Sequence, residues 1–393
     1  MMNQVQQIID QLDSSFYFYD LDGLESHIQK IKSILHPDIK IWYACKANPL
    51  SKILSILSGN SFGVDVASLG ELSQAQKAGV KSLIATGPAK SYQYLEKLIE
   101  AKVETIVIES LNQLKDLNDI CQKKGIKQNV LLRVQLEWES EISSVLGGSS
   151  ITPFGLSKED WRKIQPLRYT QLNILGLHCF QWGNVLDENL LLKYWDETIK
   201  QCLELALDLG ITLEVLDLGG GLGLSYQDET EINFEKIHQG LIQLKEEYQL
   251  KQIWLELGRY SIGKFGSYFT KIIDVKEVRG KNLIVTEGGI NHMARPALVK
   301  ESFPCHVVNN LNHQTKNFTI HGPLCTALDN LGTFQLPEDL KIGDWLEFKR
   351  AGAYGLTESM PYFLCHDLPA EVFSYKSDLT IARSAKRPTD WMV

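Results

Sequence analysis

The chain has 393 residues, a hydrophobic content of 44% and a formal net charge of -8. This length suits two domains, or one large barrel with an appendage, and the acidic balance argues against a nucleic-acid-binding surface. The start lacks a basic, apolar signal sequence, no apolar run is long enough to cross a membrane, and the seven cysteines are scattered without zinc-site spacing. We therefore expect a cytoplasmic enzyme with reduced thiols, no metal, and no nucleic-acid or membrane partner.

The first chemically informative stretch begins at Ile39 and ends at a lysine. It is rich in β-branched and aromatic residues, which is typical of a buried strand that stops at Lys46, and Asn48-Pro49 separates it from a helix pattern. Ligands bind at this edge of parallel sheets and barrels. Apolar neighbours should lower the pKa of Lys46, so that its neutral amine can form a Schiff base with an aldehyde cofactor. The alternative is a lysine that extends to solvent.

Strand and helix patterns then alternate. Counting the strand before Lys46, eight segments have the length and composition of buried strands; the other seven are Phe62–Ala67, Leu83–Thr86, Thr105–Glu109, Val130–Leu136, Ile174–Phe180, Glu214–Leu218 and Gln252–Glu256. Helix patterns lie between most of them, for example Gly70–Ala78, Tyr92–Ala101, Leu111–Lys123, Leu190–Leu209 and Phe234–Tyr248. Eight such units predict a (β/α)8 TIM barrel. A doubly wound sheet is the less favoured alternative, because it does not require this regular eightfold spacing.

Beyond Arg259, strand patterns dominate and long helix patterns are few. The predicted strands are Tyr268–Val278, Asn282–Thr286, Val307–Asn309, Phe318–His321, Asp344–Lys349 and Glu371–Ser374. This change predicts a second, mostly β domain. We place the barrel at residues 25–265 and the β domain at residues 1–24 and 266–393.

Three consecutive glycines, Gly219 to Gly221, follow the predicted seventh strand. Glycines let the backbone close around an anion and direct several N–H groups at it, and the loop after strand seven is a common phosphate site in barrels. The spacing matches neither a dinucleotide motif nor a Walker loop. We predict a phosphate site here, with a tight turn as the structural alternative.

The eighth strand ends in Glu256, followed by Gly258 and Arg259. The carboxylate suits a protonated ring nitrogen, and the guanidinium suits a phosphate or a carboxylate. Taken alone, the two charges are equally compatible with a structural ion pair.

Two stretches of the β domain carry further reactive side chains. Cys325 follows a turn within Ile320–Asp329, and Tyr354 lies among small residues that let a ligand approach. The structural alternatives are a buried apolar thiol for the cysteine and a core residue with a satisfied hydroxyl for the tyrosine.

Together these stretches resemble the fold-type III pyridoxal-phosphate (PLP) decarboxylases, the group of diaminopimelate and ornithine decarboxylases. Seven stretches follow that family's order over nearly the whole chain, namely Tyr43–Asn48, Gly63–Leu72, Leu218–Gly221, Glu256–Arg259, Arg295–Leu298, Gly322–Cys325 and Ala351–Gly355. Each stretch is weak alone, but the ordered set is specific. The resemblance implies a barrel of the alanine-racemase type and a homodimer with shared active sites, in which the neighbouring subunit supplies the cysteine.

The resemblance also implies a role for each residue. Lys46 would carry PLP as a Schiff base, Glu256 would keep the pyridine nitrogen protonated, and Cys325 would donate a proton to the α-carbon after decarboxylation. The remaining cofactor contacts would come from His178, Phe180, Gly183, Gly219, Gly220, Gly221, Gly258, Arg259 and Tyr354.

The departures from the family bear on the substrate. After the cysteine, family members carry an acid that binds the ammonium at the far end of the substrate, whereas this chain has Thr326. Burying that ammonium unpaired would cost several kcal/mol. Arg295, which grips a distal carboxylate in the diaminopimelate enzymes, is retained.

Two further departures are uncharged replacements near the cofactor. The family usually reads His-x-His-x-Gly-Ser, but here Phe180 replaces the second histidine and Gly183 replaces the serine. A phenyl ring can stack on the cofactor but cannot hydrogen-bond, and the N–H of Gly183 would take over the phosphate contact. The run Gly355–Ser359 also replaces the usual Ser-Met-Ser-Ser.

The sequence thus predicts a PLP-dependent decarboxylase of a conjugated diamino acid with a distal carboxylate, as in carboxylate-siderophore assembly. Arg295, Thr326 and Tyr354 would contact the substrate. The alternatives are a diaminopimelate decarboxylase, a decarboxylase of a carrier-bound amino acid, a racemase, and a non-catalytic PLP-binding regulator. The joint presence of Lys46, Glu256 and Cys325 argues against the regulator.

Overall fold

The computed structural model describes residues 2–138, 148–227, 231–309 and 314–391. The chain forms two compact units, a barrel unit (His27–Leu224 and Thr230–Ser261) and a β unit (Met1–Ser26, Ser225–Glu229 and Ile262–Val393). The segment from Ser225, which the sequence analysis places in the barrel domain, belongs to the β unit. Within the described ranges, no helix has both the length and the apolar character needed to cross a membrane.

The barrel unit contains a closed barrel of eight strands, which confirms the predicted fold. All neighbouring strands are parallel, and the first and last strands pair to close the barrel, with Trp42 in register with Glu256. Numbered in chain order after β1 (Phe16–Asp20), the barrel strands are β2 (Ile39–Ala44), β3 (Gly63–Val66), β4 (Leu83–Ala85), β5 (Thr105–Ile108), β6 (Gln128–Arg133), β7 (Leu172–His178), β8 (Val215–Asp217) and β9 (Gln252–Glu256).

Local sequence sets the ends of the helices between the strands. In the helix Leu111–Lys124, the Ser110 side chain accepts the N–H of Gln113 at the start, and Gly125, at φ +63°, ends the helix. The α-helices of the described residues are α1 (Met2–Leu12), α2 (Leu21–Ile34), α3 (Ser51–Gly59), α4 (Leu69–Lys77), α5 (Tyr92–Glu100), α6 (Leu111–Lys124), α7 (Lys158–Trp161), α8 (Glu188–Leu209), α9 (Phe234–Glu247), α10 (Arg259–Ile262) and α11 (Arg295–Val299).

Large apolar side chains fill the middle of the barrel. The rings of Trp42 and Trp254 meet edge to face, with centroids 5.1 Å apart. A Cβ at Gly63 would lie 2.1 Å from the Trp42 ring, so only glycine fits beside it. The buried cluster comprises Trp42, Ile84, Val107, Leu131, Val215 and Trp254, and fully burying each aliphatic member stabilises the fold by about 1.5–3 kcal/mol.

The β unit contains a nine-stranded sheet in which β1 has a central position. β1 pairs antiparallel with β10 (Gly266–Val278) and parallel with β16 (Ala370–Tyr375). The other strands are β11 (Lys281–Thr286), β12 (Cys305–Val307), β13 (Thr315–His321), β14 (Asn330–Pro337), β15 (Trp345–Phe348) and β17 (Asp378–Arg383). The order is β14-β13-β11-β10-β1-β16-β17, and β15 pairs with β10 and β12.

Four of the described elements of the β unit, α1, α11, β14 and β17, were not predicted. In α1, Val5, Ile8 and Ile9 pack against Phe16 and Phe269 of the sheet. The spacing of these apolar residues is typical of an amphipathic helix, but the many polar residues around them weaken that pattern. Most side chains of β17 are exposed, so it lacks the apolar alternation that identifies a strand.

Candidate active site

The predicted cofactor residues of the barrel unit lie at or just after the carboxyl ends of its strands. Lys46 lies in a short 3-10 helix, Cys45–Ala47, directly after β2. The three glycines follow β8, and Arg259 follows β9. Because barrel enzymes build their active sites at this end, the structure places the predicted lysine, glycine loop and arginine where catalysis is expected.

Three ionisable side chains form a buried cluster at this end of the barrel. His178 Nε2 lies 2.9 Å from Glu256 Oε1, and both side chains are almost completely buried. Asp217 completes the cluster, whose nearest nitrogen and oxygen atoms all lie within 4.8 Å of one another. His178 Nδ1 and Asp217 Oδ2 have no hydrogen-bond partner among the described residues. Such a set could hold a metal ion, or it could place one carboxylate against a cationic ligand.

The charges of the carboxyl groups favour the second possibility. Burial raises the pKa of Asp217 well above its usual value, and the Glu256 charge raises it further. The same two causes raise the pKa of Asp65. Burial also raises the pKa of Glu256, but the ring of His178 and the charge of Lys46 outweigh it, so the net shift is downward. Glu256 is therefore the carboxyl group that favours the ionised form, and the raised pKa of Asp217 disfavours its use as a metal ligand.

The glycine loop provides two unpaired backbone donors. Gly219 and Gly221 have φ angles of +64° and +103°, which favour glycine. A Cβ at Gly219 would lie 2.3 Å from the Phe180 ring, and one at Gly220 would lie 2.3 Å from the carbonyl oxygen of Glu256. No acceptor in the described part of the chain is hydrogen-bonded to the N–H of Gly220 or Gly221. Two such buried donors suit an anion such as phosphate.

The loop after β7 carries the two residues that replace the family's histidine and serine. Phe180 lies against Gly219 of the glycine loop, and Gly183 is exposed. The next residue, Asn184, accepts the N–H of Leu224 through its side-chain oxygen at 2.9 Å. Both replacements therefore lie on a loop that is hydrogen-bonded to the segment following the glycines.

Sequence reasoning missed a buried charge network in the barrel unit. Lys90 Nζ and Arg133 Nη1 lie 3.7 Å and 3.1 Å from the same oxygen of Glu109. Burial lowers the pKa of Lys90 to about 8, against the charge of Glu109. Thr86 donates a hydrogen bond of 3.0 Å to Asp65. The sequence did contain a signal for this network. Thr86, Glu109 and Arg133 each end or directly follow an apolar strand, which places them at the carboxyl end of the barrel.

Within the β unit, main-chain hydrogen bonds hold the loop that carries Cys325. The thiol is exposed, so the alternative of a buried apolar thiol was wrong. Asp329, which is buried, accepts the N–H of Leu324 at 2.7 Å and the N–H of Ile290 at 2.8 Å. The Thr326 hydroxyl accepts the N–H two residues further along at 3.2 Å. The loop between β13 and β14 is therefore fixed at both ends, with Cys325 on its outside.

The β unit also brings together two predicted substrate residues. Arg295 begins α11 and is only 6% exposed. Its Nη1 donates to Glu358 Oε2 at 2.8 Å, and its guanidinium carbon lies 5.3 Å from the centroid of the Tyr354 ring. Glu358 was not among the predicted site residues.

The predicted residues thus fall into two groups, each within one unit. The barrel unit contains Lys46, His178, Phe180, Gly183, Gly219, Gly220, Gly221, Glu256, Gly258 and Arg259. The β unit contains Arg295, Cys325, Thr326 and Tyr354.

Comparison with known families defines the class of this protein. Residues 21–263 match the family described as "Pyridoxal-dependent decarboxylase, pyridoxal binding domain". This match covers more than half of the chain, and the chain therefore belongs to the PLP-dependent decarboxylases. It is an amino-acid decarboxylase that uses PLP.

Known relatives span nearly the whole chain. The 2-[(L-alanin-3-ylcarbamoyl)methyl]-2-hydroxybutanedioate decarboxylase of Staphylococcus aureus is 28% identical, over 95% of this chain and 98% of that protein. The diaminopimelate decarboxylase of Haemophilus influenzae is 29% identical, over 91% of this chain and 88% of that protein. An L-glutamyl-acyl-carrier-protein decarboxylase of Niallia circulans is 24% identical, over 97% of this chain and 93% of that protein.

Solved structures share the fold. The crystal structure of diaminopimelate decarboxylase from Helicobacter pylori, complexed with L-lysine, has a TM-score of 0.88 at 24% identity, covering 97% of this chain and 96% of that one. A crystal structure from Aquifex aeolicus has a TM-score of 0.87 at 25% identity, covering 99% and 93%.

The barrel residues fit PLP. The pKa of Glu256 is lowered, and no hydrogen bond from the described ranges reaches its Oε2, so this oxygen can accept a hydrogen bond from a protonated pyridine nitrogen. The N–H groups of Gly220 and Gly221 suit the phosphate. Lys46 supplies a primary amine at the same end of the barrel.

Proposed function

We propose that this enzyme decarboxylates a diamino acid whose distal nitrogen is acylated by a group that bears a carboxylate, such as a citryl conjugate in siderophore assembly. The observation that carries the proposal is Thr326, a neutral hydroxyl where an ammonium-binding acid is expected. Arg295, a carboxylate-binding side chain, is retained in the same unit. The name of the Staphylococcus aureus relative describes such a conjugate, a hydroxybutanedioate joined through a carbamoyl group to C3 of alanine.

The proposed roles in the barrel follow from charge and position. Lys46 attaches PLP, and the N–H groups of Gly220 and Gly221, with Arg259, bind its phosphate. Glu256 remains ionised and keeps a proton on the pyridine nitrogen. His178 orients Glu256 through their 2.9 Å hydrogen bond. In addition, Gly183, Gly219, Gly258 and Tyr354 contribute to the phosphate site, and Phe180 contacts the face of the ring.

The residues of the β unit act on the substrate. When bound, PLP supplies an electron-accepting ring that stabilises the negative charge left on the α-carbon as carbon dioxide departs. Cys325 then gives its thiol proton to the α-carbon as general acid. Thr326 faces the uncharged amide, and Arg295 pairs with the distal carboxylate. The product is the amine that corresponds to the substrate.

We further propose a homodimer in the cytoplasm, in which Cys325 of one chain serves the active site of the other. The exposure of Cys325 supports this arrangement, because a general acid must be withdrawn from bulk water to work efficiently. An exposed apolar run in the same unit, Met360, Tyr362, Phe363 and Leu364, supports burial of this surface by a second copy.

Diaminopimelate decarboxylation is the second candidate, because Glu358 adds a carboxylate beside Arg295. Such a carboxylate could bind a distal ammonium in place of the missing acid. The Haemophilus influenzae relative bears that name.

A competition assay between a citryl-diaminopropionate conjugate and meso-diaminopimelate tests the proposal. Leaving a buried charge unpaired costs on the order of 3–5 kcal/mol, so we expect kcat/KM to favour the conjugate by some hundred- to several-thousand-fold. A preference for meso-diaminopimelate would refute the proposal and favour the second candidate.

A further inference from the structure

We propose that the side-chain carboxylate of Glu358 occupies the carboxylate-binding site of Arg295 in the free enzyme. The distal carboxylate of the substrate must then displace Glu358 in order to bind Arg295. Glu358 would then be a specificity-determining residue that lowers the affinity of the enzyme for carboxylates in general. This inference rests on the proposed function in one respect, namely that the substrate carries a distal carboxylate.

The guanidinium of Arg295 is only partly satisfied by the chain. Its Nη1 donates to Glu358, whereas its buried Nε has no hydrogen-bond partner in the described ranges. A guanidinium binds a carboxylate most strongly through two parallel N–H groups. Glu358 uses one of its oxygens on one nitrogen, so an incoming carboxylate that takes two nitrogens makes the stronger contact.

The two partners differ in how firmly they are held. The Arg295 side chain is 7% exposed, whereas that of Glu358 is 33% exposed. Arg295 is held at the start of α11, with the Tyr354 ring beside its guanidinium. Glu358 ends a short 3-10 helix, Leu356–Glu358. The carboxylate is therefore the partner that can rotate into water, and the guanidinium stays in place.

The pairing also changes the charge that a ligand meets. With Glu358 in place the pair is neutral, and an approaching carboxylate gains little Coulomb energy. With Glu358 removed, a buried positive charge is left without a partner. Since a partly exposed ion pair is a modest competitor, its loss should tighten carboxylate binding by about two- to fivefold.

The test uses the PLP-loaded enzyme with citrate as the probe. Calorimetry gives the Kd for citrate, and steady-state assays give KM and kcat for the citryl conjugate. The variant is Glu358→Gln, with Glu358→Asp as a second variant that shortens the carboxylate. The matched control is Asp274→Asn, which removes an exposed carboxylate paired with Lys276 at 2.8 Å and changes the net charge equally.

We expect Glu358→Gln to bind citrate about two- to fivefold more tightly and to lower KM for the conjugate similarly, while Asp274→Asn changes neither value. In an Arg295→Ala background, Glu358→Gln should have no further effect. The proposal is overturned if Glu358→Gln binds citrate no more tightly than the Asp274→Asn control does. It is also overturned if neither variant binds citrate. A selective loss of meso-diaminopimelate turnover in Glu358→Gln overturns it as well, because that loss would show that Glu358 binds an ammonium.

The outcomes also separate this inference from the proposed function. If the wild type rejects every acylated substrate while Glu358→Gln still tightens citrate, the proposed function fails and the role of Glu358 stands. If the wild type prefers the conjugate and Glu358→Gln changes nothing, the role of Glu358 fails alone.

Discussion

The barrel unit and the β unit hold their functional side chains in different ways. In the barrel, buried ionisable groups hold one another, as in the pairs His178–Glu256 and Arg133–Glu109. In the β unit, the buried Asp329 carboxylate accepts the backbone N–H groups that shape the Cys325 loop, and the thiol itself is exposed.

Departures from the family occur in both units, but only those in the β unit change a carboxylate. The carboxylate-changing departures, a loss at Thr326 and a gain at Glu358, both lie in the β unit. A change in a mutually paired buried cluster leaves an unpaired charge, which costs several kcal/mol, whereas an exposed loop position tolerates replacement. In the proposed roles, the barrel keeps the charged groups that act on the cofactor and changes only the uncharged contacts at Phe180 and Gly183, whereas the β unit changes the charges that select the substrate.

The largest effect should come from removing the cofactor lysine of the barrel. Lys46→Ala should abolish PLP attachment and measurable turnover, because no other amine occupies this position. Borohydride reduction of the wild type, followed by peptide mapping, should locate the pyridoxyl group on Tyr43–Asn48. Lys77→Ala, an exposed lysine on α4, is the control and should behave as wild type. A pyridoxyl label on another peptide would contradict the assignment.

The next effect should come from the cysteine of the β unit. Cys325→Ala should slow turnover by about a hundred- to ten-thousand-fold, the range for a lost general acid, and should produce a carbonyl by-product from misplaced protonation. PLP content should stay normal, since Cys325 lies outside the barrel unit. Cys365→Ala, the other exposed cysteine, is the control.

Mixing Cys325→Ala with Lys46→Ala tests the shared site. In a mixed dimer one site would keep both residues, so part of the activity should return. Full activity of Cys325→Ala alone would show that the thiol has no catalytic role.

A smaller effect is expected from restoring the acid of the β unit. Thr326→Glu should narrow the preference for the citryl conjugate over meso-diaminopimelate by about tenfold or more, because the new carboxylate pairs with a distal ammonium. Thr333→Glu adds the same charge at an exposed position on β14 and should leave the preference unchanged. Equal shifts in both variants would assign the effect to net charge instead of position.

The smallest effect concerns stability and pH in the barrel. The pKa of Asp217 is raised in the folded state, so the folded chain binds a proton that the unfolded chain releases above its own pKa near 4. Stability therefore falls as pH rises from that value towards the folded pKa, by up to about 1.4 kcal/mol per pH unit. Asp217→Asn, which can keep the hydrogen bond from Gly219, should remove the Asp217 share of this slope and leave the share of Asp65, whose pKa is also raised.

Thermal unfolding of the apoenzyme between pH 5 and 8 provides the measurement. Asp119→Asn is the control, because hydrogen bonds from Lys123 and Tyr92 lower the pKa of this carboxyl. The contribution of Asp119 to the free energy of unfolding is constant above the pKa of this group in the unfolded chain. Asp119→Asn should therefore not change the pH dependence of stability between pH 5 and 8. A slope that is as steep in Asp217→Asn as in the wild type would contradict the raised pKa of Asp217.

Much of the fold was predictable from the sequence because its signals are local. The strand Gln252–Glu256 was predicted with its observed bounds, and the other barrel strands differ by a few residues at their ends. Strand-end residues such as Lys46 and Glu256 could be predicted because topology alone brings them to one end of a barrel. The roles assigned to them remain predictions.

The remaining features depend on contacts between distant residues. Arg295 and Glu358 are 63 positions apart, and Arg133 and Glu109 are 24 apart. Nothing in either local sequence specifies its partner, because side-chain packing across the fold decides it. The same reason explains why the raised pKa of Asp217 was not foreseen, since burial cannot be read from one residue.

The buried carboxylate of Asp329 has an evolutionary consequence. Its two partners are the backbone N–H groups of Leu324 and Ile290, and every residue except proline supplies such a group. Residues 325–328 can therefore mutate without removing the two hydrogen bonds of Asp329, and a change at Thr326 removes only its own bond to the N–H of Leu328. An ancestral enzyme could exchange the residue after Cys325 in single steps and acquire new substrates while retaining a working proton donor.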